Sequence, residues 1–182
     1  MRGYLANTER VRIQGVEIET TAKIGKRIKL HGNAAWTDAQ YVSFVDAPCP
    51  LELTGGPAAC DVSGTELPGV SRWSASFGGE LSQPVDTGPF HGEAYLGAEA
   101  SRRSSFSSNA SSSEFLRVDG YTVMNLRGGF RSDSGWEIFV WARNAFDTEY
   151  FEFLSPQPGN SGLVGGQLGD PRTFGVTLKA EF

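Results

Sequence analysis

From Val16 onward, apolar and polar positions alternate with a period of two, and helical periodicity is weak throughout. Val16, Ile18, Thr20, Ala22 and Ile24 share one face, with Glu17, Glu19, Thr21 and Lys23 on the other. The same alternation returns over 28–37, 72–81, 90–101 and 122–131, then over 136–146 with less clean faces, because Phe139 and Trp141 fall on the side of Glu137 and Arg143. It returns a last time over 173–182, where Phe174, Val176, Leu178, Ala180 and Phe182 oppose Thr173, Gly175, Thr177, Lys179 and Glu181. The pattern therefore predicts seven strands.

The connections are lopsided. Gly25-Lys26-Arg27, QPVDTGP (83–89) and SDSG (132–135) are short and carry the Gly, Pro, Asp and Ser of hairpin turns. The other three, 38–69, 102–118 and 147–171, are long and have no helical pattern. Short and long alternate strictly, so every long loop leaves the same end of the sheet. Transmembrane β-barrels are built this way, with apolar-out, polar-in strands of about ten residues. The fold class expected is all-β: a portion of an antiparallel up-and-down transmembrane β-barrel, about seven strands with short periplasmic turns and long extracellular loops. A soluble or surface-exposed antiparallel β-sandwich also alternates its faces, and a binding or adhesion protein of that kind is the alternative reading.

Composition sharpens this. The net charge of −5 and the scattered basic residues exclude a partner held by nucleic-acid phosphates. No run approaches the roughly 18 apolar residues of a membrane helix, a test blind to strands that alternate faces. MRGYLANTER has no apolar segment after its positive residue, so it is read as cytoplasmic or as the later part of a longer chain, not as a secretory leader. The interiors of the apolar faces lack Lys, Arg, Asp and Glu, as lipid contact demands, while the polar faces suit a wet lumen.

Cys49 and Cys60 lie in DAPCPLELTGGPAACDVSG, a Pro- and Gly-rich stretch. They read either as a small disulfide-closed loop, which would stabilise by about 3 kcal/mol, or as two thiols in a loop.

Taken together, four segments resemble the TonB-dependent outer-membrane receptors. RVRIQGVEIETTAKIGKRIKLHGNAAWTDAQY resembles their late-barrel hairpin, and LPGVSRWSASFGGEL a following strand, with Val70-Ser71-Arg72 in place of the usual proline-containing approach. DGYTVMNLRGGFRSDSGWEIFVWARNAFDTEYF is similar to the next hairpin, with Asn144, Asp147 and Tyr150 at the matching places and Ala145 where Leu is commoner. GDPRTFGVTLKAEF is similar to the closing strand with its final aromatic.

The resemblance implies a barrel of about 22 strands around a plug domain. Residues 1–182 are then the C-terminal part of that barrel, without plug or earlier strands, in the bacterial outer membrane. It further implies import of a scarce ligand, of ferric siderophore, cobalamin or oligosaccharide class, with energy from the TonB system. Implied partners are outer-membrane lipid, TonB through the plug and TonB box of the full receptor, the barrel-assembly machinery and the small-molecule ligand. Thr173, Gly175, Leu178 and Phe182 match a C-terminal assembly signal.

Residue by residue, the chemistry is thin. His31 and His91 sit on inward faces of separate strands and read as lumen polarity, because a metal site needs three or four converging ligands. No nucleophile elbow supports catalysis, and GLVGGQLGDP lacks the strand-to-helix context of a phosphate loop. The reading contains no enzyme, no metal and no cofactor. Arg102, Arg103 and Phe106 in SRRSSFSSNASSSEF are candidates for contact with an anionic, aromatic ligand, with a solvated loop as the plainer account. Trp36, Trp73, Tyr121, Trp136 and Tyr150, with Phe182, fall near strand ends and are expected to form an aromatic girdle, core packing being the alternative.

Overall fold

The computed structural model describes residue 8 and residues 10–157 and 162–180. Phe182, the last residue of the expected closing strand, lies outside the described residues. In chain order the strands are β1 (Arg10–Ile24), β2 (Ile28–Ser43), β3 (Trp73–Thr87), β4 (Phe90–Arg103), β5 (Phe106–Ser107), β6 (Arg117–Val118), β7 (Tyr121–Ser132), β8 (Trp136–Arg143), β9 (Phe151–Pro156), β10 (Val164–Leu168) and β11 (Thr173–Ala180). Seven of them form one sheet in the order β1-β2-β3-β4-β7-β8-β11, with every neighbouring pair antiparallel. The remaining four make two small ribbons, β5-β6 and β9-β10, inside the long loops.

Two boundaries differ from the sequence expectation. QPVDTGP is not a long turn: β3 continues to Thr87, opposite Phe90, and only Gly88-Pro89 reverse the chain. Gly88 has φ +57°, and the ring of Pro89 holds its own φ negative, the sign pattern of a II′ hairpin turn. Pro84 fits within the strand because the β2 ladder stops at Leu81, so its missing N–H falls on an unpaired side. The β1–β2 hairpin also runs further than expected, out to Arg10 and Ser43.

One face of the sheet is apolar and open. Phe174 is 80% exposed, Leu178 70% and Leu96 65%, and no second sheet packs against them among the described residues. Two aromatic groups border this face. At the loop end Trp36 and Trp73 face each other across β2 and β3, with ring centroids 6.5 Å apart. At the turn end Phe130 lies 6.1 Å from Phe90 and 5.5 Å from Trp136.

Beyond the tryptophans the same face turns polar. Arg12, Gln14 and Gln40 converge on Asp38, the Gln40 amide donating to its Oδ1 at 2.8 Å and the other two to Oδ2 at 3.2 Å. Arg102 donates to Thr122 Oγ1 at 3.0 Å at the corresponding end of β4. Twelve residues separate Phe90 from Arg102 on β4; at about 3.3 Å per residue and a tilt near 45° they rise roughly 28 Å, close to the apolar band of an outer-membrane barrel.

The closed core sits above this band. The backbone of 60–67 returns along the upper half of β2: Cys60 pairs with Ala47, the Val62 N–H donates to Phe44 O and the Leu67 N–H to Ala39 O. Tyr41, Phe44, Ala47 and Val62 are buried there against Leu67 and Ala110. Cys49 and Cys60 are disulfide-bonded across the tip of this loop. The second long loop packs beside it, where the Glu114 N–H donates to Glu52 Oε1 at 2.7 Å and Arg117 bonds Glu66. The third is tied in where the Leu154 N–H donates to Ser108 Oγ. Burial works against the charged Glu52 carboxylate, but hydrogen bonds from backbone N–H groups, that of Glu114 among them, outweigh it, so its pKa lies below the ordinary carboxylate value.

Candidate functional site

The opposite face of the sheet is polar, and the strand register arranges it in rows. Nearest the loops lie Ser74, Arg103 and Tyr121, then Asn33, Ser76, Ser101 and Val123. Tyr121 stacks on Tyr150 from the third loop at 4.1 Å and 25°, and the Asn33 amide donates to Ser76 Oγ at 2.9 Å. These groups surround a shallow concavity of about 300 Å³ under the loops. Tyr121 and Tyr150 thus leave the expected girdle: alternation along β7 turns Tyr121 to the inner face, and stacking brings Tyr150 with it. Trp36, Trp73 and Trp136 lie on the outer face, joined there by Phe90 and Phe130.

Arg102, Arg103 and Phe106 do not form one ligand-facing surface. Adjacent strand residues point to opposite faces, so Arg102 goes outward to Thr122 and Arg103 inward. Arg103 is occupied, its guanidinium donating to Ser71 Oγ and Gly69 O and lying 4.6 Å from the Phe106 ring centroid. Phe106 is only 2% exposed. The group holds the roots of the first two loops together.

Lower rows carry more charge. His31, Gly78, Glu99 and Asn125 align, then Lys29, Glu80, Gly97, Arg127, Trp141 and Gly175, and at the turn end Glu93, Arg131, Glu137 and Lys179. Glu80, almost buried, accepts from Arg127 at 3.0 Å and from both terminal nitrogens of Arg131 at 2.8 and 2.9 Å. Glu137 accepts from Arg131 Nε, Tyr95 OH and Lys179 Nζ. The Arg131 guanidinium also lies 3.7 Å from the Tyr95 ring centroid. The network crosses five strands and fixes their inner face. His91 is at the turn end, against Asp86, far from His31 along the chain. Among the described residues no three His, Cys, Asp or Glu side chains converge on a metal position.

Phe139 and Trp141, which blurred the sixth strand in the sequence, point into this polar face because glycines of adjacent strands receive them. A Cβ on Gly175 would sit 2.6 Å from the Trp141 ring, and one on Gly129 would meet Phe139. The Trp141 indole N–H donates to Thr177 Oγ1 at 3.1 Å.

The Asn-Ala-Phe-Asp-Thr-Glu-Tyr segment forms a knot at the root of the third loop. Asn144 and Asp147 have φ of 46° and 56°, a region Asn and Asp tolerate better than most side chains. The Asn144 amide donates to Thr148 O and Asp170 O and accepts from the Thr148 N–H, while its own N–H donates to Asn125 Oδ1. Asp147 accepts from the Arg172 N–H at 2.9 Å. Both legs of the loop are thereby tied to β7. In the closing strand Thr173 and Gly175 face inward and Leu178 outward.

An antiparallel meander with an apolar, aromatic-bordered outer face, a polar inner face and all long loops at one end is a section of transmembrane β-barrel wall. No helix among the described residues is long and apolar enough to cross a membrane. The family model "TonB dependent receptor-like, beta-barrel" matches residues 2–145, and the chain belongs to that family, whose members reside in the bacterial outer membrane. The ferric-pyoverdine M114 receptor PbuA of Pseudomonas sp. (strain M114) is 26% identical over 179 residues, 97% of this chain and 19% of that protein. The ferric yersiniabactin uptake receptor FyuA from Yersinia pestis superposes with a TM-score of 0.73 at 17% identity, over 94% of this chain and 24% of that one. The ferric-catecholate import receptor Fiu from E. coli K12 in its closed form does so with 0.64 at 20%, over 92% and 20%. The chain thus spans about a fifth of the length of the curated relative.

Proposed function

We propose that this chain is the C-terminal part of the barrel wall and mouth of an outer-membrane receptor that imports a ferric siderophore with energy from the TonB system. The observation that carries the reading is the two-faced meander: a lipid-compatible outer face, a wet inner face and three long loops packed together at one end. The relatives support the ligand class, since all those named here are receptors for ferric chelates, and this narrows the wider set of siderophore, cobalamin and oligosaccharide. In this reading the chain is no enzyme; its work is binding and passage.

The free edges support a larger wall. Among the described residues β1 and β11 each have a neighbour on one side only. Unpaired N–H and C=O groups in hydrocarbon cost several kcal/mol each, so further strands complete the ring. A plug within the ring supplies the contact with TonB, and β11 presents the strand that the barrel-assembly machinery receives. The soluble sandwich has no support here, because nothing covers the apolar face among the described residues.

Uptake of ⁵⁵Fe tests the proposal. Under iron limitation, a strain lacking the receptor should fail to accumulate iron supplied as one siderophore and regain it with the intact gene, but not in a TonB-deficient background. Equal uptake of every ferric siderophore with and without the gene would overturn it.

A further inference from the structure

At its loop end the apolar face finishes on an arginine. Alternation along β4 turns Arg102 outward with Leu96, Ala98 and Ala100, and its partners in the ladder are Ala75 on β3 and Thr122 on β7. The next row toward the turns, Phe77, Ala100 and Met124, is wholly apolar. Trp73, 58% exposed, stands two residues beyond Ala75 toward the loops. Arg102 therefore sits where lipid tails give way to headgroups, at the far end of β4 from Phe90.

The protein does not answer this charge. One terminal nitrogen of Arg102 donates to the neutral Thr122 hydroxyl at 3.0 Å, and the side chain makes no ion pair among the described residues. By the strand register, Asp38 is the one carboxylate at an outward position of the seven wall strands among the described residues. It is almost buried, and Arg12, Gln14 and Gln40 already occupy it. The outward rim thus carries surplus positive charge on a chain whose formal net charge is −5. A guanidinium keeps its proton, and a cation against hydrocarbon is tolerated only near the interface, where a long side chain reaches the headgroups. Water there satisfies N–H donors but supplies no countercharge.

We propose that Arg102 anchors a lipid-phosphate site on the outside of the barrel. The guanidinium, steadied by Thr122, holds the phosphate of an outer-leaflet lipid, whose acyl chains lie on Phe77, Ala100 and Met124 and whose headgroup rests beside Trp73. Phosphate oxygens match the guanidinium fork with two parallel hydrogen bonds, and the membrane fixes such a headgroup at this height. The adjacent residue, Arg103, ties the root of the first loop through Ser71 and Gly69. The end of β4 therefore fastens lipid on one face and loops on the other. The inference rests on the membrane wall and not on import.

The test uses the full receptor, delipidated in a neutral detergent, and native mass spectrometry to count the molecules of diphosphorylated lipid A that it retains. Heat-modifiable gels restrict the comparison to folded barrels. Arg102→Gln should retain one molecule fewer than wild type, Arg102→Lys should recover it in part, and Arg143→Gln, which removes an inward arginine, should match wild type. Lipid A stripped of its phosphates should be retained equally by wild type and Arg102→Gln, and excess inorganic phosphate should not displace the anchored molecule. Equal counts of the phosphorylated lipid in wild type and Arg102→Gln overturn the site, as does a deficit that persists with the stripped lipid. Displacement by inorganic phosphate overturns it as a lipid site. Iron uptake does not enter this measurement, so the import reading and this one fail separately.

Discussion

Asn144 offers the sharpest test of how the mouth is held. It is 2% exposed and its amide makes three hydrogen bonds, two donated to Thr148 O and Asp170 O and one accepted from the Thr148 N–H. Each is worth about 1 kcal/mol net, so Asn144→Ala forfeits about 3 kcal/mol, and holding Ala at a positive φ adds about 1 kcal/mol. At 1.4 kcal/mol per decade, a loss of about 4 kcal/mol raises the open population of the third loop roughly a thousandfold. Hydrogen exchange on the detergent-solubilised receptor reads this directly. Amides of Thr148 and of β9 and β10 should exchange faster, while those in the middle of β3 and β4 stay protected. Asn144→Gly separates the two terms, because glycine adopts that φ freely; it should open the loop roughly a hundredfold, for the hydrogen bonds alone. Unchanged protection at Thr148 and Leu154 in the alanine variant would refute the knot as the loop's fastening.

Further outcomes concern both faces and the loops. Leu96→Arg, near the middle of the apolar face, should cost about 2–4 kcal/mol of barrel stability and lower the folded fraction on heat-modifiable gels; Ser101→Arg, on the inner face, should leave it nearly unchanged, and equal losses would contradict the assignment of faces. Glu80→Gln and Arg131→Gln should be non-additive, the double variant losing at least about 1 kcal/mol less than the two singles summed, because both singles break the same bidentate pair and Arg131→Gln leaves the almost buried Glu80 with Arg127 alone; additive losses in a denaturant titration would argue against the bidentate pair. Glu52 has a depressed folded pKa, so its tie to the second loop is at full strength above the ordinary carboxylate value of about 4.3 and fades as the pH falls through the lower folded value. Proteolysis of residues 44–72 should therefore rise only below that range in the wild type, and Glu52→Gln should abolish the step; an unaltered pH profile would rule the tie out.

The seven wall strands were legible because a membrane wall codes each residue by face. Where both faces meet water, the code stops. The upper part of the β1–β2 hairpin reverses the usual order, with Arg12 and Gln14 outward and Val11 and Ile13 inward, so alternation marked the strand only from Val16. Phe139 and Trp141 looked misplaced because the reason for their orientation, Gly129 and Gly175, lies on neighbouring strands and needs the register to be seen. The loop contacts were beyond reach for a related reason. Glu52 meets Glu114, 62 residues away, through a backbone N–H that leaves no mark in the sequence. Tyr121 and Tyr150 show the limit of reading strand ends: an aromatic at the rim can face lipid or lumen, and only the count along β7 decides which.

The distribution of apolar side chains follows from having two solvents. In the wall the large apolar residues are exposed, Phe174 most of all, because the lipid that covers them replaces a core. The small core formed by Tyr41, Phe44, Ala47 and Val62 lies where the chain has left the bilayer and must bury apolar surface from water. Its loops have the means to do so: a return leg paired to β2, a disulfide, and hydrogen bonds between neighbouring loops. The two regions therefore depend on different conditions. Stripping lipid or detergent removes the force that holds the wall but not the one that holds the first loop. Reducing Cys49–Cys60 loosens that loop and leaves the strand ladder intact. This independence comes from placing the core of Tyr41, Phe44, Ala47 and Val62 above the band of tryptophans.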